Sequence, residues 1–141
     1  MERIPPFSGG FFLCGLFGII AGMSNHPLNL ALRFVLELAA LAAYGYWGWT
    51  QHEGIGRWAW TILLPLAAAV AWGVFRVPND PGVPPVTVPG WTRLLLEMVY
   101  FAGAAACLYL AGARTWALAF AGITVLHYVI SYERVMWLVR Q

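Results

Sequence analysis

The sequence predicts an all-α integral membrane protein, a four-helix transmembrane bundle built from two helical hairpins repeated in parallel. Three observations carry this reading. The 141 residues are 61% hydrophobic and only 10% charged, where an ordinary soluble domain carries about 25% charged residues. The apolar residues gather in four blocks, 28–49, 58–77, 91–112 and 115–139, each close to the roughly 20 residues that a helix needs to cross ~30 Å of hydrocarbon. Finally, Arg-x-x-x-Glu occurs twice inside these blocks, at Arg33–Glu37 and Arg93–Glu97, 60 residues apart. The blocks lack period-2 alternation and are rich in Ala and Leu, which selects helices over membrane strands.

Taken in chain order, residues 1–26 read as an extension ahead of a transmembrane domain at 27–141. Phe11–Ala21 is apolar but too short to span. Glu2 cancels Arg3, which weakens a match to a signal peptide. Two readings stay open for this extension: an over-long start ahead of Met23, or an interfacial helix or re-entrant turn. Ser24-Asn25-His26-Pro27 is a natural beginning for the first span. The second span contains Pro65, where a kink or packing defect is expected. Pro78–Pro89 holds five prolines and predicts a semi-rigid, extended link. Trp91-Thr92 opens the third span, and the fourth is expected as one continuous helix over 115–139.

Arginine sets the orientation, since all eight basic residues are Arg. One side of a four-span bundle holds Arg3, Arg33, Arg76, Arg93, Arg134 and Arg140, and the other holds Arg57 and Arg114. The positive-inside rule then places both termini in the cytoplasm of a bacterial inner membrane. Trp47, Trp49, Trp58, Trp60 and Trp116 form an outer aromatic belt, and Trp91 and Trp137 an inner one.

The charges within the spans need a reason, because each costs on the order of 2.5–3.5 kcal/mol at a helix centre. Arg33 and Glu37, like Arg93 and Glu97, lie four apart and share a helix face. Both pairs use the poorer order, Arg before Glu, so neither suits mere stabilisation of its own helix. Cross-helix pairing is expected instead, Arg33 with Glu97 and Arg93 with Glu37. A shift of 60 also aligns Ala42 with Ala102 and Trp72 with Tyr132, the mark of a duplicated two-helix unit.

The cytoplasmic half of the bundle is therefore expected to hold a polar cluster of Arg33, Glu37, Arg76, Arg93, Glu97, Glu133 and Arg134. Trp72 backs Arg76, and His127 lies about two turns deeper than Glu133 and Arg134. Two functions fit such a cluster. One is binding or transport of a small polar or anionic solute or lipid headgroup, in a pocket lined by Arg33, Arg93, Arg76 and Trp72. The other is a non-catalytic packing or accessory subunit whose charges only fasten helices or a partner.

His127 is expected as a hydrogen-bonded core residue or a proton-relay contact; alone in a span, it cannot ligate a haem on both faces. Cys14 and Cys107 form neither a CxxC nor a metal-ligand spacing. No nucleophile elbow, phosphate-binding glycine loop or metal cluster stands out, so neither an enzyme nor a cofactor is expected. A net charge of +2 gives no nucleic-acid footprint. The expected partners are membrane lipids, a second copy or a membrane complex, and a small anionic ligand.

At Leu28-Asn-Leu-Ala-Leu-Arg-Phe-Val-Leu-Glu-Leu-Ala39, Pro65, Trp72-Gly-Val-Phe75 and Arg93-Leu-Leu-Leu-Glu-Met-Val-Tyr-Phe101, the chain resembles the YrdB-like family. These are small bacterial four-span membrane proteins grouped under a domain of unknown function. The resemblance runs from about Leu28 to Val139. It implies the four-span topology and no activity. His127 and Tyr132-Glu133-Arg134 fall outside the quoted pattern.

Overall fold

Pro27 in the first turn and the His26 cap start α1, Pro27–Gln51. The His26 ring accepts the Leu28 N–H at 3.3 Å. In the computed structural model, which describes residues 25–78 and 83–141, α1 is followed by α2 (Gly54–Val74), β1 (Phe75–Arg76), β2 (Val86–Thr87), α3 (Gly90–Leu110), α4 (Arg114–Ile130) and α5 (Tyr132–Val139). The expectations for the extension before Asn25 and for the tip of the proline loop, 79–82, lie outside the described residues.

Two residues, His52 and Glu53, turn α1 into α2. Gly54 supplies the left-handed conformation that the turn needs, at φ 56°. The helices then press together at Gly48, where an added Cβ would sit 2.6 Å from the backbone of Trp60 and Thr61. Around this end the rings of Trp49 and Trp58 meet edge to face at 5.0 Å, and His52 stacks on Trp60 at 5.4 Å. Pro65 sits inside α2 without ending it.

The proline loop is more than an extended link. Phe75 and Arg76 pair in parallel with Val86 and Thr87, and the Val88 N–H donates to the Arg76 carbonyl at 2.9 Å. Prolines exclude helix here, and the β-branched run Val86-Thr87-Val88 gives the returning chain a strand to form. The second helix accordingly stops at Val74, three residues short of the expected block. Val77 beside it is fully buried.

α3 and α4 join through Gly112, whose φ of 82° fits a left-handed helix end. The Ala113 N–H returns to the Leu108 carbonyl at 3.0 Å. The fourth apolar block is not one straight helix: it breaks at Ser131, and α5 leaves α4 at 72°. Neither Gly nor Pro marks this bend. Tertiary contacts hold it instead. Asn29 of α1 donates to the Ser131 hydroxyl at 2.8 Å, and fully buried Leu138 lays its backbone against Gly90, where any side chain would collide.

α1 and α3 run in the same direction and form the centre of the molecule. Tyr44 donates to the Tyr100 carbonyl at 2.7 Å, and Tyr100 to the Glu37 carbonyl at 3.0 Å. The core is Leu36, Ala40, Ala43, Tyr44, Tyr100, Phe101, Ala104 and Phe120. α2 flanks α1 and buries none of its residues fully, while α4 packs along α3 through Phe101 and Phe120. Among the described residues three helices are long and apolar enough to cross a membrane, or four if α4 and α5 count as one bent span. The regular structure among the described residues is thus helical apart from one short strand pair.

Glycine substitutions separate packing from propensity. Gly48→Ala should destabilise the α1–α2 hairpin by about 1–3 kcal/mol, because the methyl meets backbone that cannot yield. Gly122→Ala, in α4 with nothing within 4 Å, should gain up to ~1 kcal/mol from helix propensity. Thermal unfolding of both variants followed by circular dichroism checks this; equal effects would refute the close approach.

Candidate functional site

The repeated Arg-x-x-x-Glu places one carboxylate on each central helix, but their surroundings differ. Glu97 and Arg93 are 1% and 2% exposed, whereas Glu37 and Arg33 are 22% and 20% exposed. Glu97 is the hub. Arg93 Nε reaches its Oε1 at 3.2 Å within α3. Arg134 of α5 grips both oxygens in a fork, Nη1 to Oε2 at 2.9 Å and Nη2 to Oε1 at 2.7 Å. The Tyr128 hydroxyl of α4 donates to Oε2 at 2.9 Å, and Arg33 of α1 comes within 3.5 Å of Oε1. One carboxylate thereby ties α1, α3, α4 and α5.

The pairing departs from the expected symmetric exchange. The Arg33–Glu97 contact across helices is present. The reciprocal pair gives way to bonds within each helix: Glu37 is held by Arg33 at 3.0 Å, and Arg93 turns to Glu97. The poorer Arg-before-Glu order is thus used inside both helices after all. It costs little here, because the partners that decide the geometry come from other helices.

Arg93 also reaches backbone. Its Nη1 donates to the Trp72 carbonyl at 2.7 Å and to the Phe75 carbonyl. Those carbonyls lie at the C-terminus of α2, whose dipole favours a cation. Two guanidiniums approach the Trp72 ring, 4.1 Å from its centroid for Arg93 and 5.8 Å for Arg33, and the ring packs on Tyr100 at 4.6 Å. Arg76 sits one residue beyond Phe75, on β1, half-buried at the margin of the cluster. Glu133 occupies the first turn of α5, where a carboxylate suits the helix dipole.

His127 belongs to a separate buried chain. Asn29 Nδ2 donates to Ser131, so its Oδ1 is the acceptor facing His127 Nδ1 at 2.9 Å. That geometry puts a proton on Nδ1. His127 therefore helps fix the bend rather than touching a carboxylate. Asn29 and Ser131 are the residues that sequence reasoning missed; Asn29 is 7% exposed, and an amide inside an apolar run was the signal for it. Among the described residues no group of His, Cys, Asp and Glu is arranged to hold a metal.

Two cavities lie beside the cluster's helices, and of the cluster only the Glu97 donor Tyr128 reaches the wall of one. The larger, about 600 Å³, lies between α3, α4 and α5, and the smaller, about 400 Å³, between α1 and α4; charged side chains line neither. Chemically, the arrangement neutralises and immobilises.

A family model described as "Protein of unknown function (DUF2568)" matches residues 31–125. The chain is similar to the uncharacterized protein YrdB of Bacillus subtilis (strain 168), with 41% identity over 116 residues that span 80% of this chain and 94% of that protein. No solved structure matches the chain. The family match takes in Arg33, Glu37, Trp72, Arg93 and Glu97 and ends before His127, Tyr128, Ser131 and Arg134.

Removing the hub should be far worse than removing its exposed counterpart. Glu97→Gln leaves three guanidiniums facing an amide and should cost about 3–5 kcal/mol. Glu37→Gln, at the partly exposed pair, should cost about 1 kcal/mol or less. Denaturant titration in detergent micelles measures both, and equal losses would show that Glu97 is no hub.

Proposed function

We propose, for a chain that belongs to the DUF2568 family of YrdB-like proteins, a non-catalytic protein of the bacterial cytoplasmic membrane whose buried Arg/Glu cluster fastens helices rather than holding a solute. One observation carries this reading: Glu97 is 1% exposed with both oxygens taken by protein donors. A transported anion would need guanidiniums it can reach. Here Arg33 and Arg134 close on Glu97, and Arg93 is spent on Glu97 and two carbonyls. The positive charge in excess of Glu37 and Glu97 is absorbed by helix-end carbonyls and the Trp72 ring.

The membrane placement rests on the length and apolarity of the helices and on their bare outer faces. Leu28, Phe34, Ile62, Leu66, Val99, Leu118 and Val125 are each more than half exposed. In this reading α1, α2 and α3 cross once each, and α4 with α5 makes a fourth, bent crossing. The N-terminus of α1 and the C-terminus lie at one end, joined through Asn29 and Ser131 and through Gly90 and Leu138. Arg33, Arg76, Arg93, Arg134 and Arg140 gather there, which makes it the cytoplasmic end. The shared direction of α1 and α3, each with its Arg-x-x-x-Glu, supports descent from a duplicated hairpin. Such a protein acts as an accessory or packing subunit, with lipids, a second copy or a membrane complex against its apolar faces.

Two measurements test this. A green fluorescent protein fused to the C-terminus should fluoresce and an alkaline phosphatase fused there should stay inactive; the reverse would place that end outside. Purified protein should show no thermal shift with phosphate or small carboxylates. A shift that Arg33→Gln abolishes and Arg140→Gln spares, in folded protein, would restore the solute pocket.

A further inference from the structure

The larger cavity has a construction that the helix clasp does not require. Ala102 and Ala105 of α3 face Ala121 of α4, and these small side chains hollow a groove where larger ones would close it. Two of the hydroxyls on its walls are already engaged: Thr124 donates to the Phe120 carbonyl at 2.8 Å, and Tyr128 to Glu97 at 2.9 Å. The walls therefore offer an occupant hydrocarbon contact. Val125, Val129, Met98 and Met136 on its rim are 41–64% exposed, so the groove opens on the outer face of the bundle.

Because the chain bends by 72° at Ser131, α5 crosses the end of this groove and supplies Tyr132, Val135 and Met136 as its floor. Arg140 follows one turn beyond Met136, exposed and with no side-chain partner among the described residues. Trp91, 63% exposed, precedes the wall residue Leu94 by one turn of α3. Trp91 and Arg140 thus each stand one helical turn along the chain from a residue that lines the slot, and an apolar slot flanked in sequence by a Trp and an exposed Arg has the polarity of a lipid: tail in the groove, phosphate at the interface.

We propose that this groove is a binding site for one acyl chain of an anionic phospholipid, with Arg140 receiving the phosphate and Trp91 packing at headgroup level. The site rests on the membrane placement above but not on the clasp. It differs from the solute pocket expected from sequence, because Arg33, Arg93 and Trp72 take no part in it. The bend at Ser131 gives the two sites their common cause, since it carries Arg134 to Glu97 and α5 beneath the groove.

Membrane fractionation comes first: recovery in the soluble fraction without detergent would overturn the placement itself. With detergent-extracted protein, native mass spectrometry is run with added phosphatidylglycerol or phosphatidylcholine of matched chains. Phosphatidylglycerol should be retained about fivefold more strongly, the worth of one interfacial basic residue, and Arg140→Gln should remove that preference. Ala121→Leu, which fills the groove, should weaken both lipids, and Ala102→Leu provides a second filling variant should the first melt early by circular dichroism. Equal retention of the two lipids by the natural protein, or undiminished binding in a folded filling variant, would overturn the proposal. A dimer dispersed by the same filling variants would instead assign the groove to a second copy and overturn it equally.

Discussion

The end of this molecule where α5 meets α3 is arranged around the cost of burying the Glu97 carboxylate. An ion of this kind is tolerable in an apolar interior only when opposite charge and hydrogen-bond donors surround it. Arg93 alone, one turn away on α3, does not supply that. The remaining donors come from α5 through Arg134, from α4 through Tyr128 and from α1 through Arg33. Four helices are thus obliged to meet at one point. Among helices whose surfaces are as apolar as these, such a point selects the arrangement.

Several other features serve this meeting. The break at Ser131 lets α5 return beneath α3, the Asn29 amide holds the break, and Gly90 leaves room for Leu138. Arg93 also draws the end of α2 inward through the Trp72 and Phe75 carbonyls, which steers the following residues into the strand pair with Val86 and Thr87. The two Arg-x-x-x-Glu motifs are consequently used differently. One is the buried hub, and the other is a half-exposed support whose arginine leans across to it. A buried, saturated cluster of this kind makes a poor solute site, so the search for function moves to the apolar faces and to the groove above α5.

Much of the architecture was legible in the residues. Uninterrupted Ala- and Leu-rich blocks bounded by Pro, Gly and Trp gave helix ends within a few residues for α1 and α3, and Arg33, Glu37, Trp72, Arg93, Glu97 and Arg134 are indeed brought together. Other features were not legible for physical reasons. The bend at Ser131 has no local cause, since neither Gly nor Pro is present and the apolar run continues through Ile130. It follows from a partner 102 residues away. The choice of Glu97 over Glu37 as hub is likewise a tertiary matter, because identical motifs cannot disclose which one α5 will cover. His127 was expected as a hydrogen-bonded core residue or a proton-relay contact, and the position of Asn29 shows which hydrogen bond it makes and that it serves the bend. The α-helix continues through Pro65, the position where a kink or packing defect was expected.

Arg134 and Glu97 act as a coupled pair that holds α5 under α3. A double-mutant cycle measures this most directly, comparing unfolding free energies in detergent micelles for Arg134→Gln, Glu97→Gln and the double variant. Partners in one buried network should show a coupling of about 0.5–3 kcal/mol, with the double variant losing less than the sum of the two single ones. Losses that add to within ~0.3–0.5 kcal/mol would mean that the two residues act independently, and would contradict the account.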